Sequence, residues 1–202
     1  MQVALSINAG DAAEARDLAL RAPRIVGRGG MVHVDVHAGS FQGVVAVQVA
    51  QVEAHLMVRD WEALLVPWLE SGAFRAVIPA EYMDGGSMRR AREVAARYGA
   101  AIMPSFSYAD ETSDFSPYAG FTALQVLAVP AGKSGQTFNM RAMEKIKTLR
   151  TAFPSAILEV DGGITPTVAA RAKDVGADII VSSSCIWGAE SPHEAYKRFT
   201  RI

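Results

Sequence analysis

The chain has 202 residues, 50% of them apolar, with 20 basic and 21 acidic side chains and a formal net charge of −1. That size suits one globular domain over residues 1–202 with a large shared core, and the near-neutral charge removes any electrostatic case for nucleic acid or an anionic membrane as partner. No apolar run approaches the ~20 residues of a membrane span, the N-terminus has no signal-peptide pattern, and the single Cys185 cannot form an internal disulfide, so a cytoplasmic protein is expected.

Short β-branched runs alternate with helical patterns along the chain. Val3–Ile7 reads as a strand, Asp11–Arg21 as a helix, Val32–Val36 and Ala54–Val58 as strands, and Trp61–Ser71 as a helix. Strand Ala76–Ile78, helix Ser87–Tyr98 and strands Ala101–Met103 and Leu124–Val129 follow. Helix Asn139–Phe153, strand Ile157–Val160, helix Thr167–Val175, strand Ile179–Val181 and helix Pro192–Phe199 complete the series. The helices rest on 3.6-residue apolar spacing with Ala-rich interiors. Thr165-Pro166 marks a helix start and Gly99 a helix stop. Eight strands separated by helical crossovers predict a parallel sheet closed into a (β/α)8 TIM barrel.

Two stretches break the rhythm. A parallel crossover needs at least ~10–12 residues, and between Asp35 and His55 the run Val44–Val52 is dense in β-branched residues. A shortened or irregular segment between strands two and three is therefore expected. Ser105–Pro117 is polar and aromatic and reads as a long loop over the barrel mouth.

Side chains two apart on a strand share a face. His33, Asp35 and His37 thus point one way, as do Glu53 with His55 and Glu159 with Asp161. Charge facing into a barrel is costly unless paired or bound to metal. Two imidazoles and two carboxylates at the C-terminal strand ends, where barrel active sites sit, make a plausible divalent site for zinc, manganese or iron. One His-Val-Asp alternation alone is more often structural, but three such features on three strands are harder to dismiss. A second group is rich in small residues: Gly132-Lys133-Ser134-Gly135-Gln136 after strand six, Gly162-Gly163 after seven, Ser182-Ser183-Ser184 after eight. Small residues let backbone N–H groups approach an anion, and the loops after late strands are the recurring phosphate position of such barrels. Lys133 lies inside that loop as an even candidate for anion contact.

Val32-His33-Val34-Asp35-Val36, His55-Leu56-Met57-Val58, Gly132–Phe138 and Glu159-Val160-Asp161-Gly162-Gly163-Ile164 resemble ribulose-phosphate 3-epimerases, a ribulose-phosphate-binding barrel family. The similarity spans nearly the whole chain. It implies one divalent metal (zinc, manganese, iron or cobalt) held by His33, Asp35, His55 and Asp161. It also implies a sugar phosphate bound by Ser6, Met57, Gly132, Gly135, Gly162, Gly163, Ser183 and Ser184. In the mechanism so implied, Asp35 and Asp161 are the catalytic pair that removes and returns the C3 proton of a ketose phosphate such as ribulose 5-phosphate. A homo-oligomer is possible.

Departures surround this set. His37-Ala38-Gly39 stands where the family has Met-Asp-Gly, and Pro79 where it places a histidine. Ala131-Gly132-Lys133-Ser134-Gly135 replaces Pro-Gly-Phe-Gly-Gly, and Ser183 replaces a glycine. Three functions therefore compete: a C3 epimerase, another enzyme of the superfamily such as an aldolase or decarboxylase, and a catalytically silent sugar-phosphate binder. No strand offers the barrel lysine of the second class, and retention of both aspartates argues against the third. Trp61, Trp68 and Trp187 read as packing residues, His193 as a surface residue, and Cys185 as non-catalytic.

Overall fold

In the computed structural model, which describes residues 1–49 and 51–202, eight parallel strands close in sequence order into a barrel. They are β1 Gln2–Ile7, β2 Met31–His37, β3 Gln51–Met57, β4 Arg75–Pro79, β5 Ala101–Ser107, β6 Ala123–Leu127, β7 Ile157–Asp161 and β8 Ile179–Ser182. Helices α1 Ala12–Val26, α2 Trp61–Glu70, α3 Gly85–Arg97, α4 Arg141–Ala152, α5 Pro166–Asp174, the single turn α6 Ser184–Trp187 and α7 Pro192–Thr200 surround it.

The register sets the barrel's geometry. Ser6 pairs with His33, His33 with Glu53, Glu53 with Arg75 and Arg75 with Ala101. On the other half Ser105 pairs with Gln125, then Glu159, Ile179 and Gln2. Ser105 lies four residues beyond Ala101 and Ser6 four beyond Gln2, so one circuit advances the register by 4 + 4 = 8 residues. That is the shear of the eight-stranded (β/α)8 barrel.

Alternation along each strand sorts the side chains. Leu5, Val34, Leu56, Ile78, Phe106, Leu124, Val160 and Ile180 pack outward in the main core with the helices. Inside, two small apolar clusters, Ala4-Met31-Ile179-Val181 and Val77-Met103-Ala123, fill part of the lumen. The remaining interior is polar: Ser6, His33, Asp35, Glu53, His55, Arg75, Ser105, Gln125, Glu159 and Asp161 are all buried.

Several expected boundaries move. Helix α1 runs past Arg21 to Val26 because Ala22, Ile25 and Val26 continue its buried stripe, and it stops at Gly27, whose φ is +76°. Ser105–Ser107 is not loop but the end of β5, paired with β6 from Gln125 to Leu127; Ser105 is buried in the lumen and Ser107 half-buried. Strand β6 ends at Leu127 rather than Val129, and β3 begins at Gln51 rather than Ala54. Helix α4 starts at Arg141, two residues after Asn139, whose side chain accepts from the Arg141 N–H at 3.0 Å. Among the described residues of 38–50 there is no helix, as the β-branched run predicts. His37 and Ser40 close a turn there, and the Phe41 N–H donates to Ala9 O at 2.9 Å. Trp61 and Trp68 are buried in the core, and Trp187 is half-buried, its indole N–H donating to Ser6 O at 2.7 Å. His193 is exposed.

At the N-terminal end of the strands, Arg150 from the last turn of α4 fastens two turns together. Its guanidinium donates to Ala156 O at 2.7 Å, Gly176 O at 2.8 Å and Asp178 Oδ2 at 2.6 Å, and Asp178 Oδ2 also accepts from the Leu158 N–H at 2.8 Å. Replacing Arg150 by Met strips these acceptors of their donor and should cost roughly 1–2 kcal/mol. The urea midpoint should fall accordingly, with ligand binding at the opposite end of the barrel unchanged.

Candidate functional site

Four inward side chains converge at the C-terminal end of the barrel. His33 and Asp35 come from β2, His55 from β3 and Asp161 from the end of β7, and their donor atoms all lie within 4.8 Å of one another. His33 Nε2 is 3.2 Å from His55 Nδ1, 3.3 Å from Asp35 Oδ1 and 3.8 Å from Asp161 Oδ2. His55 Nδ1 stands 3.6 Å from each of the two aspartates. The sequence expectation placed these four together, and they are together.

The layer beneath orients them. Glu53 Oε1 accepts from His33 Nδ1 at 2.8 Å, which leaves Nε2 facing the centre. Arg75 donates from Nε to Glu53 Oε2 at 2.6 Å and from Nη2 to Glu159 Oε2 at 3.1 Å. Gln125 donates to Glu159 Oε1 at 2.9 Å and accepts from the Ser105 hydroxyl at 2.5 Å. Burial works against charge on Glu53, yet the Arg75 guanidinium and His33 hold it well below the usual carboxylate range. Glu159 is pushed the other way, to about 8, by burial and by the charge on Glu53. Glu53 is therefore the more acidic of the pair.

Above this layer the centre favours positive charge. Burial disfavours an imidazolium at His33, but Asp35 and Glu53 on either side raise its pKa well above the ordinary histidine value. Burial likewise works against the Asp35 carboxylate, which His33 and His55 nevertheless hold well below its usual range. Asp35 Oδ1 is buried without a hydrogen bond and faces the same centre. A deprotonated nitrogen pair with two carboxylates is the donor set of a divalent cation, and these residues fit one. The Ser6 hydroxyl donates to the other oxygen, Asp35 Oδ2, at 2.8 Å and fixes the carboxylate's orientation.

A cleft opens from Asp35 and Asp161 toward the loops after β6, β7 and β8. Ser6, Met57, Gly132, Gly135, Gly162, Gly163, Ser183 and Ser184 all line it, as does Lys133. Gly162 and Gly163 are required by close approach. A Cβ on Gly163 (φ +68°) would stand 2.3 Å from Phe138 N, and one on Gly162 (φ +100°) 2.5 Å from Val129 Cγ2. His37 points elsewhere: its Nε2 donates to Asn8 Oδ1 at 3.1 Å, while Asn8 Nδ2 donates to Gly132 O at 2.8 Å. Cys185 is exposed and does not line the cleft.

Sequence reading missed Arg75, Ser105, Gln125 and Asn8. Arg75 and Gln125 carried a signal, being single polar residues at period two with Val77 and Leu127 in otherwise apolar strands. Asn8 lies just past β1 and had none.

A sequence model of the ribulose-phosphate 3-epimerase family matches residues 2–187. The ribulose-phosphate 3-epimerase of Mycobacterium leprae is 27% identical over 98% of this chain and 93% of its own length. The cytoplasmic isoform from Oryza sativa is 28% identical over 88% and 85%. Among solved structures, the 3-hexulose-6-phosphate synthase of Salmonella typhimurium superposes with a TM-score of 0.72 at 16% identity, over 100% of this chain and 97% of that one. KGPDC from Streptococcus mutans does so at 0.69 and 13%, over 99% and 95%; both likenesses attest to the barrel alone. With a family match over nearly its whole length, the chain belongs to the ribulose-phosphate 3-epimerase family of isomerases.

Proposed function

We propose that the protein is a metal-dependent epimerase inverting C3 of a ketose phosphate, ribulose 5-phosphate or a close analogue, with Asp35 and Asp161 as the two proton-transfer groups. The observation that carries this reading is the arrival of two carboxylates at one buried centre from strands that are not neighbours, β2 and β7. Inversion beside a carbonyl needs a proton acceptor on one face of C3 and a donor on the other. His33, Asp35, His55 and Asp161 would hold a divalent ion, which would supply Lewis-acid stabilisation of the negative charge developing on the substrate. Asp35, oriented by the Ser6 hydroxyl, and Asp161 exchange the C3 proton from opposite sides. Zinc, manganese, iron and cobalt all suit the donor set. Glycine amides at 132, 135, 162 and 163, with Ser183 and Ser184, receive the phosphate. A cytoplasmic location agrees with the single cysteine and with the name of the rice relative.

Metal-loaded protein in heavy water should exchange the C3 proton of ribulose 5-phosphate or allulose 6-phosphate, followed by proton NMR. Asp35→Asn and Asp161→Asn should each slow turnover by roughly 10²–10⁴-fold, with metal content measured on each variant. No deuterium at C3 of any ketose phosphate that binds would remove the epimerase and leave a silent binder. In the phosphate cradle, Gly163→Ala forces backbone aside and imposes a left-handed conformation costing about 1–2 kcal/mol. Inorganic phosphate should then bind at least tenfold more weakly by calorimetry, with the ion content of the His/Asp centre unchanged.

A further inference from the structure

Met57, Leu127 and Ala131 form a ridge that divides the barrel mouth between two cavities, the phosphate cleft and a second one over the ends of β4, β5 and β6. On the cleft's side, the loop after β6 has its carbonyl groups taken up by side-chain amides. Gln136 Nε2 donates to Pro130 O and to Lys133 O, each at 2.8 Å. Gly132 O, between them in the chain, is bound from outside the loop. Asn8, just past β1, donates to it from Nδ2 at 2.8 Å across 124 residues of sequence. The N–H groups of Gly132, Lys133, Ser134 and Gly135 have no acceptor within the protein among the described residues, and these four residues line the cleft.

Asn8 is itself held. A peptide oxygen only accepts, so the Asn8 amide nitrogen faces Gly132 and its oxygen is turned to His37. His37 Nε2 donates to that oxygen at 3.1 Å. The imidazole in turn is fixed to the short turn after β2. Its Nδ1 lies 2.9 Å from Ala38 O, the His37 N–H donates to Ser40 Oγ at 2.8 Å, and Ser40 Oγ donates back to His37 O at 2.9 Å. The Phe41 N–H seats this turn on the end of β1 by donating to Ala9 O at 2.9 Å. His37, Asn8 and Gly132 thus form a chain of two hydrogen bonds from β2 through β1 to the loop after β6, a strand that neighbours neither of the others in the barrel.

The consequence follows from the planarity of the peptide bond. An oxygen held in place also fixes the N–H of the same unit, which points the opposite way. Asn8 therefore sets the direction of the Lys133 N–H, as Gln136 sets those of Ala131 and Ser134. Gly132, at φ +129°, has open space where a Cβ would stand and no side chain to resist rotation. Released, this unit is free to turn its carbonyl oxygen toward an anion in the cleft, and the loop must then be ordered on binding at a cost in affinity. We infer that Asn8 is a positioning residue for the phosphate group of the substrate and that His37 acts through it, so that the turn after β2 holds the anion cradle in its binding form before a ligand arrives. His37 does not line the cleft and reaches the anion through Asn8. This rests on the reading of the cleft as the phosphate end of the site.

The test uses metal-loaded full-length protein with inorganic phosphate as the probe, read by calorimetry. The variants are Asn8→Leu, His37→Leu, His37→Gln and the Asn8→Leu/His37→Leu double. Metal content and thermal midpoint are read on each, and Asn8→Ala takes the place of Asn8→Leu where the larger side chain prevents folding. Asn8→Leu should weaken phosphate binding about three- to tenfold, the worth of one hydrogen bond. His37→Leu should weaken it in the same direction, while His37→Gln, whose amide still donates to Asn8 Oδ1, should bind nearly as the parent does. The double variant should bind no more weakly than Asn8→Leu alone, because the second change breaks a chain that is already open. If Asn8→Leu binds phosphate as tightly as the parent, if His37→Gln fares no better than His37→Leu, or if the double loss is the product of the single losses, the relay is overturned and the phosphate cradle stands. If the parent binds no inorganic phosphate, relay and cradle both fall. Exchange at C3 of ribulose 5-phosphate, followed on the parent by proton NMR in heavy water, reads the epimerase separately: the expected binding pattern without exchange leaves the relay and removes the epimerase.

Discussion

A guanidinium sealed inside a barrel is tolerable only between anions, and Arg75 has two carboxyl partners, Glu53 and Glu159. Its pairing settles the rest of the interior. Because Arg75 keeps Glu53 ionised, Glu53 can accept from His33 Nδ1, and the other imidazole nitrogen is committed to the centre above. Burial and the charge on Glu53 push the Glu159 carboxyl up, and its Oε1 accepts from Gln125, which is itself held by the Ser105 hydroxyl. The five side chains come from β3, β4, β5, β6 and β7, so the layer also locks most of the barrel's circumference at one height.

On that floor the His/Asp centre has little freedom. Asp35 is held by Ser6 and His33 by Glu53, so the donor atoms are placed before any ligand arrives. The mouth beyond is electrostatically two-ended. Amide-rich glycine loops with Lys133 lie toward β6–β8, while hydroxyls and two carboxylates lie toward β4–β6, with the centre and the Met57–Leu127–Ala131 ridge between. The lack of a crossover helix among the described residues between β2 and β3 does not disturb this arrangement, because the two strands pair along all seven residues of each.

The sequence by itself determined the barrel, the convergence of His33, Asp35, His55 and Asp161, and the glycine-rich loops that line the cleft. Period-two alternation assigns the inward side of a strand without reference to its neighbours, which is why His33, Asp35, His55 and Asp161 were legible. A glycine forced by close approach likewise leaves a local mark. What only the tertiary structure decided depends on pairing register and tilt. Arg75 meets Glu159 across 84 residues, a contact set by a shear of eight and invisible to any local pattern. The stretch from Ser105 reads as loop for the same reason. Its polar alternation looks like surface until β6 brings Gln125 opposite Ser105 and makes that face part of the lumen. The second cavity belongs to this class too, since its walls come from four strand ends and three loops that meet only when the barrel closes.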